Sequence, residues 1–86
     1  MNYRVIWRPG ADAVVLANLL RAADKPALWV VVRGADQTLR LDPHTVGESR
    51  DDPTQRHAYF RPFELLFEID EPNRTVYVNL ARWVGA

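Results

Sequence analysis

Twice near the end of the chain, apolar side chains fall at every second position. Phe63, Leu65, Phe67 and Ile69 alternate with Glu64, Leu66, Glu68 and Asp70, the period of a strand with one face on a core. Val76, Val78 and Leu80 repeat it, with Thr75, Tyr77 and Asn79 between them. The break is supplied by Glu71, Pro72, Asn73 and Arg74: Pro72 presets the second position of a turn and Asn73 tolerates the third. The spacing predicts a β-hairpin over 63–80, with Val76, Val78 and Leu80 turned inward. Because a lone hairpin is marginal in water, the first half of the chain must cover its apolar face.

Tyr3, Val5 and Trp7 alternate with Arg4, Ile6 and Arg8, and Pro9, which cannot donate to a ladder, closes this first strand. The period then lengthens. Ala11, Val15, Leu19 and Ala22 recur at three or four residues, with Leu16, Leu20 and Ala23 widening the stripe, so an amphipathic helix is predicted over 10–23. Asp12 suits the dipole of its first turn. A second helix opens with Asp24 as N-cap and Pro26 in the first turn, and Leu28, Val31, Val32, Ala35 and Leu39 share one face of it. The β-branched run 30–32 and Gly34 make a strand over 28–33 the rival reading. The short connection predicts an antiparallel helical hairpin. Asp42 before Pro43 ends the helix, residues 44–55 read as a polar surface loop, and 56–60 form a short strand. The expectation is an α+β domain over residues 1–86: an N-terminal strand, an antiparallel helical hairpin, then a three-stranded antiparallel C-terminal sheet.

At 86 residues the chain can build one core of modest stability. Its 48% hydrophobic and 26% charged content excludes a disordered chain. With no cysteine there is no disulfide framework and no thiolate zinc site, which fits a reducing cytosol. The runs AVVLANLL and ALWVVV are too short to span a bilayer and the N-terminus lacks signal-peptide organisation, so a cytoplasmic location away from membranes is expected. Eleven basic residues balance eleven acidic ones, which confines any nucleic-acid contact to a local patch.

The opening YRVIWRPGA, the helix exit LRLDPHTVGESRD and the hairpin core LLFEIDEPNRTVYV, in the order β, α, α, loop, β, β, β, resemble the RelE/ParE superfamily of bacterial type II toxin-antitoxin (plasmid stabilisation) toxins. The resemblance implies a small toxin neutralised by a cognate antitoxin that wraps around it. RelE-like members cut messenger RNA on the ribosome, and ParE-like members poison DNA gyrase. Two features depart from the ribonuclease branch. Glu64 stands where a strand arginine is usual, and Ala81, Arg82, Trp83 and Val84 replace the usual end of the last strand, with no tyrosine after them.

Cleaving RNA through its own 2'-hydroxyl needs a proton acceptor, charge stabilisation at phosphorus and a donor for the leaving oxygen. Near the C-terminal sheet and its preceding loop the available groups are Arg50, Arg56, His57, Arg61 and Arg82. The expected catalytic set is His57 for proton transfer with Arg56, Arg61 and Arg82 on the phosphate backbone, and Arg50 and Trp83 are expected to bind. In the plainer alternative Arg50 pairs with Glu48, Asp51 or Asp52, Arg56 and Arg61 are solvated, and the tryptophans are core. His44 and His57 have no carboxylate or cysteine at ligand spacing, so no metal or cofactor is expected. Gly47-Glu48-Ser49 lacks the second glycine of a nucleophile elbow. An open sheet face with Leu66 and Tyr77 would suit an antitoxin segment. The expected function is a toxin of a toxin-antitoxin pair that cleaves messenger RNA. A catalytically silent binding module of the same fold, or a ParE-like gyrase inhibitor, are the alternatives.

Overall fold

The computed structural model describes residues 2–85. Strand β1 (Arg4–Trp7) leads to helix α1 (Pro9–Arg21) and helix α2 (Lys25–Leu41), then to a single 3-10 turn, Pro43–Thr45. Four further strands follow: β2 (Glu48–Ser49), β3 (Gln55–Phe60), β4 (Phe63–Asp70) and β5 (Thr75–Trp83). Residues 28–33 lie within α2, so the rival strand does not form. The Asp24 side chain accepts from the Ala27 N–H at 3.1 Å, satisfying one of the donors a helix start leaves unpaired.

The sheet corrects the expected three-stranded arrangement. Among the described residues it has five strands in the order β1-β5-β4-β3-β2. The N-terminal strand joins it parallel to β5, Val5 opposite Val76 and Trp7 opposite Val78. The two helices supply the crossover that a parallel pair requires. At the other edge, the polar stretch expected to be loop contributes β2, whose Glu48 and Ser49 pair with His57 and Arg56.

Both helices lie on one face. Ala11 and Val15 of α1, with Leu28, Val32, Ala35 and Leu39 of α2, bury against Phe63, Leu65, Phe67, Ile69, Val76 and Val78. The apolar stripe of α1 is only half used, because Leu16 and Leu20 remain 54% and 68% exposed. The second correction lies in β5. The register steps from Leu66↔Leu80 to Phe67↔Val78, leaving Asn79 as an extra residue, a β-bulge that shifts the alternation by one. Ala81 therefore joins the core, and Leu80, expected to face inward, is 48% exposed.

A polar clasp ties the β4–β5 turn to the start of the chain and the exit of α2. Glu71 accepts from His44 Nε2 at 2.8 Å, from the Tyr3 hydroxyl at 2.7 Å and from Arg74 Nη1 at 2.6 Å. Arg74 also lies over the Tyr3 ring, and it takes the left-handed conformation of the turn, φ 49°. The His44 bond first, then Tyr3 and Arg74, against an upward push from burial, bring the Glu71 carboxyl from 4.5 to about 2. A carboxyl that titrates lower in the folded chain stabilises fully above its unfolded value and loses that contribution as pH falls. Glu71→Gln is accordingly expected to be less stable than the parent above pH 4.5 and to converge with it between pH 4.5 and about 2. Urea unfolding at stepped pH reads this directly, and a deficit that persists unchanged to pH 2 would assign the role of Glu71 to shape rather than charge.

Candidate functional site

Directly opposite residues of a sheet share a face. The pairs Tyr59↔Glu64↔Arg82 and Glu48↔His57↔Leu66↔Leu80 therefore line up on the face turned away from the helices. Phe63 and Leu65 enter the core on either side of Glu64, which sends the carboxylate to the open face at mid-sheet. Its cross-strand neighbours cover it, so that Glu64 is only 6% exposed.

Each oxygen of Glu64 has a cationic or polar partner. Oε1 accepts from Arg82 Nη2 at 2.5 Å, and Oε2 lies 3.3 Å from His57 Nδ1. Burial pushes the carboxyl up, but the His57 hydrogen bond and the Arg82 guanidinium outweigh it and hold Glu64 below the usual carboxylate value. Glu64 is thus ionised at neutral pH and can only accept. It follows that His57 Nδ1 carries the hydrogen of that bond. His57 Nε2 is left as the outward nitrogen, 3.8 Å from the exposed Glu48 carboxylate. Tyr59 stands edge-on to the imidazole at 6.3 Å, and the Arg61 guanidinium sits 5.3 Å from the centre of the Tyr59 ring.

Arg50 completes the group. With Glu64, Leu66, Leu80 and Arg82 it lines a hollow of about 210 Å³. Among the described residues no carboxylate pairs with it. Asp52 is engaged instead by the Thr54 backbone N–H and hydroxyl at 2.9 and 2.8 Å, bonds that lower its pKa. The structure therefore brings together four of the six residues singled out from the sequence: His57, Arg82, Arg61 and Arg50.

The remaining two lie elsewhere. Arg56 is opposite Phe67, on the helix side, where its guanidinium donates to the carbonyls of Val46 and Gly47 at 3.0 Å each. Trp83, 50% exposed, also belongs to the helix side; its ring meets Phe63 edge-on at 5.6 Å, and beside Pro62 it faces the turn between α1 and α2. A larger hollow of about 740 Å³ opens on the helices around Trp7 and Trp29. Its Asp36 is already engaged by Trp7 Nε1 and Arg40, and among the described residues the other charged side chain lining it is Arg33. We therefore place the candidate site on the sheet. Among the described residues no three His, Cys, Asp or Glu side chains are grouped so as to hold a metal ion. No helix among them is long and apolar enough to cross a membrane.

Sequence reasoning met Glu64 as a departure from a family pattern and Glu48 as a partner for Arg50, and passed over Tyr59. A charged residue at an outward position of an apolar strand looks like ordinary polar alternation. Only the register, which sets it between His57 and Arg82, distinguishes it. As a chemical device the group pairs an imidazole, fixed through Nδ1 on a buried carboxylate, with two arginines able to donate to an oxyanion. It can take up or return a proton at His57 Nε2 next to bound negative charge.

No protein-family model matches the chain, nor does any curated protein. Solved structures do. A chain of the toxin-antitoxin complex RelBE2 from Mycobacterium tuberculosis superposes with a TM-score of 0.72 at 24% identity, covering 96% of this chain and 92% of that one. A chain of the chromosomal ParDE TA system from P. aeruginosa gives 0.65 at 13% identity, over 95% and 96%. The fold is RelE/ParE-like, and the resemblance read from the sequence is borne out at that level.

Proposed function

We propose that residues 1–86 form a single toxin domain of a bacterial toxin-antitoxin pair, cytoplasmic and held silent by a cognate antitoxin, which cuts RNA on the open face of its sheet. The observation that carries the chemistry is the His57–Glu64 contact, which leaves Nε2 of the imidazole as the outward nitrogen, 3.8 Å from the exposed Glu48 carboxylate. In the reaction His57 Nε2 takes the proton of a 2'-hydroxyl as its oxygen attacks the adjacent phosphorus. The bond to the 5'-oxygen breaks, giving a 2',3'-cyclic phosphate and a 5'-hydroxyl, with the leaving oxygen protonated from solvent. Arg82 stabilises the charge that builds on the phosphate oxygens, Arg50 binds the substrate phosphate throughout, and Arg61 with Tyr59 offers a stacking surface beside them. Messenger RNA on the ribosome is the substrate this reading implies.

One observation favours a second reading. Glu64 already neutralises Arg82, as a binding module without catalysis would tolerate. Inducible expression with growth and transcript integrity followed together separates the possibilities. Growth arrest with fragmented transcripts is expected, and His57→Ala should lower cleavage about 10²-fold or more. Undiminished arrest by His57→Ala would overturn the assignment of His57. Arrest with intact transcripts would turn the reading to gyrase, and soluble expression without arrest to the silent module.

A further inference from the structure

Arg56 does not reach the open face, yet the segment that supplies Arg50 and Glu48 rests on it. Its guanidinium donates from Nε to the Val46 carbonyl and from Nη2 to the Gly47 carbonyl, both at 3.0 Å. These two carbonyls immediately precede β2. Val46 packs against the core. At Gly47, φ is +68° and an added Cβ would lie 2.0 Å from the His57 carbonyl oxygen and 2.7 Å from the Ala58 Cβ. The backbone therefore comes down onto β3 at a point where only glycine fits. Beyond it β2 contributes just two residues to the ladder, and the Arg50 N–H donates to the Gln55 carbonyl at 2.8 Å. So short an edge strand has little hydrogen bonding of its own to hold it.

We infer that Arg56 is a positioning residue: from behind the sheet it clamps the 46–50 segment onto β3, and so sets Arg50 in the hollow beside Arg82 and Glu48 against His57 Nε2. A planar fork satisfies two successive carbonyls in a way that a single ammonium does not. The role attributed to Arg56 in substrate turnover rests on the reading of the open face as an RNA-cleaving site; the clamp itself does not.

Arg56→Met, Arg56→Lys, Arg50→Ala and the Arg50→Ala/Arg56→Met double variant, beside the parent, test it with two readouts. The first is amide hydrogen exchange. In Arg56→Met the Arg50 N–H is expected to exchange about tenfold faster or more while amides of β4 and β5 hold their rates, and Arg56→Lys should fall between. The second is cleavage of messenger RNA bound on the ribosome. Arg56→Met should raise KM about tenfold with little change in kcat, as Arg50→Ala does, and the double variant should be no worse than Arg50→Ala, because both changes remove the same contact. An unchanged Arg50 exchange rate in Arg56→Met would overturn the clamp, as would a uniform rise in exchange across the sheet, which marks a general loss of stability. Multiplying KM effects in the double variant would overturn the link to Arg50. Should the parent leave RNA uncut, the proposed function fails and the exchange measurement alone decides the clamp.

Discussion

Phe67→Ala is expected to lower the free energy of unfolding by about 3–5 kcal/mol, the range for truncating a buried aromatic ring. Phe67 is 1% exposed and sits in β4, the middle strand of the five. It is flanked by Arg56 on β3 and Val78 on β5 and roofed by the helices. Sheet neighbours held by ladder hydrogen bonds cannot collapse into the space the ring leaves, so transfer and cavity losses add. A domain of this size has only about 5–15 kcal/mol in total and belongs near the low end. Urea unfolding should show a midpoint lowered by more than about 1 M with the slope retained. Leu80→Ala is the internal control. The alternation of β5 alone would make it a core deletion, whereas the bulge at Asn79 turns Leu80 outward, and a change within about 0.5–1 kcal/mol is expected. A core-sized loss at Leu80, or a loss below about 1 kcal/mol at Phe67, would contradict the register of the β4–β5 pair.

That contrast shows where the sequence is legible and where it is not. Periods of two and of about three and a half are local properties, and they locate β1, both helices, β3, β4 and β5 because each such segment can be hydrophobic on one side in only one way. Relations between segments leave no such mark. The parallel seating of β1 on β5 is decided by the crossover through α1 and α2, after both strands already read correctly. The bulge adds one residue to β5, and the run Val78, Asn79, Leu80, Ala81 carries no glycine or proline to announce it. Glu48 and Ser49 enter the sheet through backbone contacts and the Arg56 clamp, neither of which shows in the polarity of their side chains. The candidate site was legible in the same measure. His57, Arg61, Arg82 and Arg50 stand out as basic side chains near the last strands, but whether each faces the helices or the open side depends on register. That is why Arg56, one residue from His57, leaves the group while Glu64 enters it.

Glu64→Gln is expected to lower RNA cleavage by about 10²–10⁴-fold while leaving the fold intact, and the reason is the tautomer of His57. As a carboxylate Glu64 can only accept, so it holds the hydrogen on Nδ1 and leaves the Nε2 lone pair for the 2'-hydroxyl. An amide in the same place has one acceptor and one donor end. Arg82 Nη2, at 2.5 Å from Oε1, supplies only donors and claims the acceptor end. The amide N–H₂ then turns to His57, making Nδ1 the acceptor and moving the ring hydrogen to Nε2. The outward nitrogen becomes a donor, and the base is lost without loss of volume or of hydrogen-bond count. Arg82, 64% exposed at its side chain, keeps its solvent contacts, so the variant is expected to stay folded. Nitrogen-15 shifts of the imidazole in parent and variant report the tautomer directly, alongside the cleavage rate. A rate loss without a tautomer change would mean that the charge of Glu64 matters rather than its hold on His57. An unchanged rate would remove both residues from the proton transfer.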